Sequence, residues 1–221
     1  MGPAGTGKST IAVMFADAAA KRGQRVSYYA FDESNHILRA RAAEVGHSFE
    51  DHIKSGNIRL QQIDPAQVAP GELAHNIVQS VEQEKTNVVV LDSLNGYVNA
   101  MPNEDYLYLH LHELLTYLNQ QGVMTIMILA QHGLVGPMGA PVDVSYLADT
   151  VILTRYFEAR GAVKKAISVI KKRSGGHENT LRELTMTSKG VVVGPPLTDF
   201  EGVLTGVPKF VGIAAKSAVG T

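Results

Sequence analysis

The strongest constraint on this chain lies in its first ten residues, MGPAGTGKST. Gly2, Gly7, Lys8 and Ser9 satisfy G-x-x-x-x-G-K-[ST], the phosphate-cradling loop that links a buried strand to a helix. Each residue type has a reason. Glycines let backbone N–H groups approach phosphate oxygens, and the following helix presents its positive end. Lys8 places charge between the β- and γ-phosphates, and Ser9 offers a hydroxyl to Mg²⁺. Gly5, Thr6, Gly7, Lys8, Ser9 and Thr10 are therefore the candidate ATP-binding residues, against the simpler alternative of a glycine-rich turn at a helix start. Only Met1 precedes Gly2. A loop of this kind is expected to hang from a strand at the centre of a parallel sheet, and without that strand its neighbours keep unpaired backbone groups. The expectation is a first strand missing before the loop, with Met1 as a displaced start or the edge of a domain cut from a longer protein.

The rest of the chain alternates between strand and helix patterns. STIAVMFADAAAKRG reads as a helix with Ile11, Met14, Phe15 and Ala18 on one face and Gly23 as its stop. QRVSYYAF, IRLQQID, NVVVLDS and VMTIMILAQ read as strands, the third as a continuous apolar run of the kind buried on both faces of a parallel sheet. HILRARAAEVG and ELAHNIVQSVEQE read as the intervening helices. DYLYLHLHELLTYLNQQG begins with strand-like alternation, but Leu107, Leu111, Leu114, Leu115 and Leu118 have helical spacing over a helical length. Beyond LADTVILTRYFEARG, consecutive strands joined by glycine-containing turns predict an antiparallel region. The fold class is thus α/β: a mainly parallel sheet flanked by helices, with an antiparallel C-terminal strand extension. One domain is expected over residues 1–210, followed by a flexible tail over 211–221.

In such a sheet, ligands bind at the carboxyl ends of the parallel strands. Asp92 ends VVVLDS, where it can orient the hydration shell of a Mg²⁺ held by Ser9. Asp32 and Glu33 follow another strand end, where one of them can polarise the water that attacks a γ-phosphate; capping of a helix at Ser34 or Asn35 is the structural alternative. Alternation in AISVIKKRSGG puts Lys171 and Arg173 on one face and Lys172 on the other, so two cations can converge on one anion, although a basic edge strand that resists aggregation has the same composition.

GPAGTGKST, YYAFDES, VVVLDSL, LADTVIL, AISVIKKRSGGHE and LRELTMTSKG, in this order and at these intervals, resemble the KaiC circadian-clock ATPases of the RecA superfamily. The resemblance runs from Gly2 to about Phe210. It implies a RecA-type P-loop NTPase that uses ATP and Mg²⁺ and assembles as a homo-oligomer, a hexameric ring with nucleotide between subunits. It further implies Glu33 as catalytic base with Asp32 in support, although a Glu-Glu pair is the family pattern. Lys171 and Arg173 would reach the neighbouring subunit's γ-phosphate, and a cation supplied in this way is worth about 10³ to 10⁵ in rate in other nucleotide hydrolases. Gln131 would sense the γ-phosphate, HGLVGPMGAPVDVS would line the ring pore, and His177 matches a family histidine. Ser145-Tyr146 stands where clock kinases carry a Ser-Thr pair. Tyr146 departs from that pattern, which argues against an ordered two-site phosphorylation cycle and leaves Ser145 as a turn or helix cap or a single acceptor. KaiC-like proteins outside cyanobacteria, often found beside signalling components, are the nearer match, so signalling-protein partners are implied.

Composition narrows the alternatives. Twenty Lys+Arg against 21 Asp+Glu give a net charge of −1, which supplies no global field for nucleic acid, and no basic loop follows Gln131. A RecA-like DNA motor is thereby disfavoured relative to an ATPase, a nucleotide-gated assembly scaffold or a serine/threonine autokinase. The absence of cysteine excludes disulfides and thiolate chemistry, and no apolar run approaches membrane-spanning length. A cytoplasmic location is the default expectation. His110 and His112 stand two apart on a helix pattern, hence on different faces, and do not form a metal site by themselves.

Overall fold

The computed structural model describes residues 1–99, 104–133, 144–205 and 207–212. Gly2–Pro3 form a two-residue strand, β1, and α1 (Lys8–Lys21) follows the loop. Then come β2 (Val26–Ala30), α2 (Asn35–Glu44), the short α3 (Glu50–Lys54), β3 (Ile58–Gln62), α4 (Pro70–Glu82) and β4 (Val88–Asp92). After α5 (Leu94–Asn99) and α6 (Glu104–Gln120), the run VMTIMILAQ divides into β5 (Met124–Met127) and β6 (Ala130–Gln131). The leucine pattern of the ambiguous segment does form a helix, because its spacing buries Leu111, Leu114 and Leu118 on one face.

β3, β2, β4 and β5 form a parallel sheet in that order. Period-two alternation divides its side chains between two layers. Tyr29, Val89 and Leu91 pack with Leu73 and Ile77 of α4 and Leu111 and Leu118 of α6. Val26, Tyr28, Ala30, Val88 and Val90 pack with α1 and α2 on the other face. α1 buries Ala12, Val13, Ala16, Ala19 and Ala20, whereas Phe15 is 43% exposed. The face read from Ile11, Met14, Phe15 and Ala18 is therefore not the one that packs on the sheet. Small side chains let the helix approach the strands closely, and the larger residues turn elsewhere.

The C-terminal region is antiparallel: β7 (Thr150–Ala159), β8 (Ala162–Lys172), β9 (Arg182–Thr187) and β10 (Gly190–Pro196) pair in sequence order. A small hairpin of β11 (Phe200–Glu201) and β12 (Lys209–Phe210) follows, with Phe200 edge-on to both Phe157 and Phe210 at 5.5 Å. Residues 213–221 of the expected tail lie outside the described residues.

The chain's first residues sit between the two regions. Gly2 N donates to Leu129 O at 3.2 Å, and Gly2 and Pro3 pair in parallel with Ala130 and Gln131. On the other side, the Met1 amino group donates to Ile152 O at 2.7 Å and Thr154 N donates to Met1 O at 2.9 Å. Elsewhere, α1 is tied down near its C-terminal end through Asp17. That buried carboxylate meets Lys21 Nζ at 2.7 Å, His47 Nδ1 at 2.6 Å and His52 Nε2 at 3.2 Å. Burial alone would raise the Asp17 pKa, but hydrogen bonds from His47 and Lys21 leave it lowered.

Burial, then the charge of Lys8, lowers the Met1 amino pKa from 8.0 to about 5. Between those values the unfolded chain binds the extra proton. This group's contribution to stability is therefore complete above pH 8 and lost as pH falls through 5, on the order of 4 kcal/mol in all. Urea unfolding of the free chain should lose more stability across that window than unfolding of the Met1-acetylated chain; parallel profiles would refute the assignment.

Candidate nucleotide-binding site

Gly7 sits at φ 97° as the N-cap of α1, with no side-chain cap bond, so the first-turn N–H groups are available to an anion. A Cβ at Gly7 would strike the Met186 methyl group, and one at Gly2 would strike the carbonyl and hydroxyl of Thr154. The loop is held from below by the antiparallel region. Thr6 is buried, its Oγ1 donates to Pro3 O at 2.9 Å, and it lies 2.7 Å from Thr154 Oγ1. Tyr156 donates its hydroxyl to Ala4 O at 3.1 Å, beside Gly5.

Lys8 Nζ donates to Pro3 O at 2.7 Å. Burial lowers its pKa, and Asp92 opposes that shift. Ser9, one residue further along α1 and next to Thr10 in its first turn, donates to Asp92 Oδ1 at 2.9 Å. Tyr28 donates to the other carboxylate oxygen at 2.6 Å. Asp92 is 7% exposed; burial raises its pKa, and the bonds from Tyr28 and Ser9 pull it back. The Tyr28 hydroxyl is pushed far up, first by burial and then by the Asp92 charge.

The second carboxylate group lies on the same edge, since Ala30 of β2 pairs with Asp92 of β4. Asp32 Oδ2 accepts from Ser93 Oγ at 2.6 Å, and Glu33 forms an ion pair with Arg41 of α2. Ser34 caps α2 by accepting from Ile37 N at 3.3 Å, which leaves Asp32 and Glu33 out of the capping role. Gln131 pairs with Pro3, and its Oε1 is buried without a hydrogen-bond partner among the described residues. A hydroxyl and a carboxylate side by side, with an ammonium and a glycine loop next to them, are the hard-oxygen and cationic donors that Mg²⁺ and a triphosphate require. The ion would add charge neutralisation of the phosphates there.

Lys171 and Arg173 do not join this cluster within one chain. Tyr156, whose hydroxyl reaches the loop, pairs with Lys165, and Lys171 lies about 20 Å further along β8. Lys171 Nζ donates to Ser145 O at 2.8 Å. Arg173 donates to Tyr146 O at 3.2 Å and pairs with Asp149 at 3.0 Å. The two cations thus share one side of the strand end, while Lys172 reaches Gly176 O. His177 is exposed. No group of three or more potential metal ligands that includes His110 or His112 occurs among the described residues. Residues 134–143 of the expected pore loop lie outside the described residues.

The sequence reading did not single out Tyr28, Arg41, Ser93, Thr154 or Tyr156. The one available signal was the period of VSYYA, which turns Tyr28 and Tyr29 to opposite faces.

A glycine loop leading into a helix, with its serine bonded to the carboxylate at the end of a buried parallel strand, defines a P-loop nucleotide-binding protein. The protein-family model described as "ATPase: KaiC" matches residues 1–198, and the chain belongs to that family. It is 24% identical over 217 residues to the circadian clock oscillator protein KaiC of Thermostichus vulcanus, covering 98% of this chain and 42% of that protein. Circadian clock protein KaiC3 of Synechocystis sp. is 26% identical over 215 residues, with 95% and 41% covered. The chain therefore spans about two fifths of the length of the curated relatives it matches.

Replacing Tyr28 by Phe keeps the buried ring and removes the donor to Asp92. The expected loss is about 1.5–3 kcal/mol where Asp92 is charged, shrinking as acid protonates it, because the hydrogen bond favours the carboxylate. Urea unfolding at neutral and acidic pH checks this; a loss independent of pH would contradict it.

Proposed function

We propose that this chain binds Mg-ATP at the loop of Gly5, Thr6, Gly7, Lys8, Ser9 and Thr10 and hydrolyses it at the interface between copies in a ring. The observation that carries the reading is the 2.9 Å contact between Ser9 and Asp92 beside Lys8. It puts the two expected Mg²⁺-orienting oxygens together at the strand ends. Glu33 accepts the proton of the attacking water, with Asp32 in support, as the bond between the β- and γ-phosphates breaks. That role requires the Glu33 carboxylate to leave Arg41. Gln131, whose buried oxygen has no partner among the described residues, is suited to follow the γ-phosphate. Lys171 and Arg173 lie towards the other end of β8 from the residues that support their own loop, so in this reading they complete a site on a neighbour. A cytoplasmic signalling or clock-like regulator with protein partners fits this chemistry.

The Glu33–Arg41 ion pair also favours a second reading, a nucleotide-gated assembly with little turnover. Light scattering with ATP, ADP and no nucleotide separates the two from a protein that ignores nucleotide.

Steady-state hydrolysis should fall about 10³-fold or more in Arg173→Ala, and Glu33→Gln should lose turnover while still binding ATP. Mixing Arg173→Ala with Lys8→Ala chains should restore part of the activity, because one interface then carries an intact loop and an intact arginine. Unchanged rates in the assembled variants, or no recovery on mixing, would overturn these roles.

A further inference from the structure

Both oxygens of the Glu33 carboxylate are engaged by one guanidinium. Arg41 Nη2 donates to Oε1, and Arg41 Nε donates to Oε2 at 3.4 Å. A two-pronged grip of this kind holds a carboxylate more strongly, and with a more defined orientation, than a single contact does. The local fold makes the pairing. Glu33 immediately precedes Ser34, the N-cap of α2, and Arg41 stands about two turns into the helix. Helical side chains lean towards the N-terminus, so Arg41 reaches back to the strand end. Leu38 and Ala42, both buried, fix which way the helix faces and leave Arg41 on the flank of the packed side. The Arg41 and Glu33 side chains are 27% and 21% exposed, so water and salt screen this pair less than a pair on the open surface.

The other two carboxylates of the site are held differently. Asp92 accepts from Ser9 and Tyr28, and Asp32 accepts from Ser93, all of them neutral hydroxyls. Of the three, only Glu33 is hydrogen-bonded to a cation. Arg41 also acts on the ion-orienting pair from further away. Burial raises the pKa of Asp92 and of Tyr28; the Arg41 charge opposes that shift at both, and the Glu33 charge adds to it. The base and the ion-orienting carboxylate thus share the field of one guanidinium.

We propose that Arg41 is a positioning residue that brakes turnover by holding Glu33 at the start of α2, so that only molecules in which the pair is open activate the attacking water. The inference rests on the assignment of Glu33 as base. A base must bring an oxygen lone pair within hydrogen-bond reach of the water it deprotonates, and here the guanidinium takes a lone pair on each oxygen and fixes where the carboxylate lies. When the competent state is a minor fraction, the observed activity is reduced by that fraction. The site then combines a full set of hydrolytic groups with slow turnover, and whatever draws the guanidinium away releases it.

Steady-state hydrolysis by Arg41→Gln tests this. Its kcat should rise about tenfold with KM little changed, since Glu33 is freed and the phosphate loop is untouched. Adding Glu33→Gln should remove the gain. Arg41→Lys keeps the charge and the long stem but loses the two-pronged grip, so its kcat should fall between those of Arg41→Gln and the unaltered chain; it also guards against loss of fold in the first variant. A second readout needs no nucleotide. In the unaltered chain the Arg41 Nε–H should exchange with water about tenfold or more slowly than that of the exposed Arg160, and Glu33→Gln should remove this protection. Unchanged or lower kcat in both Arg41 variants, or Arg41 exchange as fast as that of Arg160, overturns the brake alone. Hydrolysis by Glu33→Gln as fast as by the unaltered chain, or none by any of these chains, overturns the base assignment and the brake with it.

Discussion

Three backbone hydrogen bonds at the first two residues hold the site together. Met1 bonds to Ile152 O and Thr154 N on one flank, and Gly2 bonds to Leu129 O on the other. Through them the phosphate loop is suspended between the parallel and the antiparallel region. Thr154 adds its hydroxyl to Thr6, and Tyr156 adds its own to Ala4, so the loop's shape is set from β7 as well as from α1. Preorganisation of this kind matters because a loop that must be ordered by its ligand loses binding energy to that ordering.

The electrostatics around the loop are arranged in pairs. Lys8 spends its charge on a loop carbonyl, Asp92 is satisfied by two hydroxyls, Asp32 by Ser93, and Glu33 by Arg41. Buried polar groups left without partners are costly, and here nearly every one near the loop has a partner inside the chain. A triphosphate entering this site must therefore exchange hydrogen bonds rather than simply make new ones. Gln131 Oε1 is one exception among the described residues, a buried acceptor with nothing donating to it, and Asn35 Oδ1 and the Arg155 Nε and Nη1 are others.

Much of this was legible in the sequence because the informative segments are either dense motifs or long periodic runs. The loop, the strand-end position of Asp92 and the helix of α6 were read directly from such patterns. Periodicity shows that a helix has faces but not which one is buried, which is why the alanine face of α1 was missed in favour of Ile11 and Phe15. The links from Tyr28 to Asp92 and from Arg41 to Glu33 could not be read either, since a strand tyrosine looks like core and an arginine in a helix looks like surface. The support given by Thr154 and Tyr156 depends on a strand pairing separated by some 150 residues of sequence. Helices α3 and α5 and the β11–β12 hairpin are too short to show a period at all.

The helix that begins at the loop is pinned at its other end by Asp17, which is gripped by Lys21, His47 and His52. A helix with close-packed alanines along its inner face is a stiff rod, and from Ser9 to Asp17 it spans about 12 Å. His47 lies in the turn after α2 and His52 in α3, so the direction in which the helix aims at the loop is tied to where those two elements sit. The two histidines are in this sense the far anchor of the helix that begins at the loop.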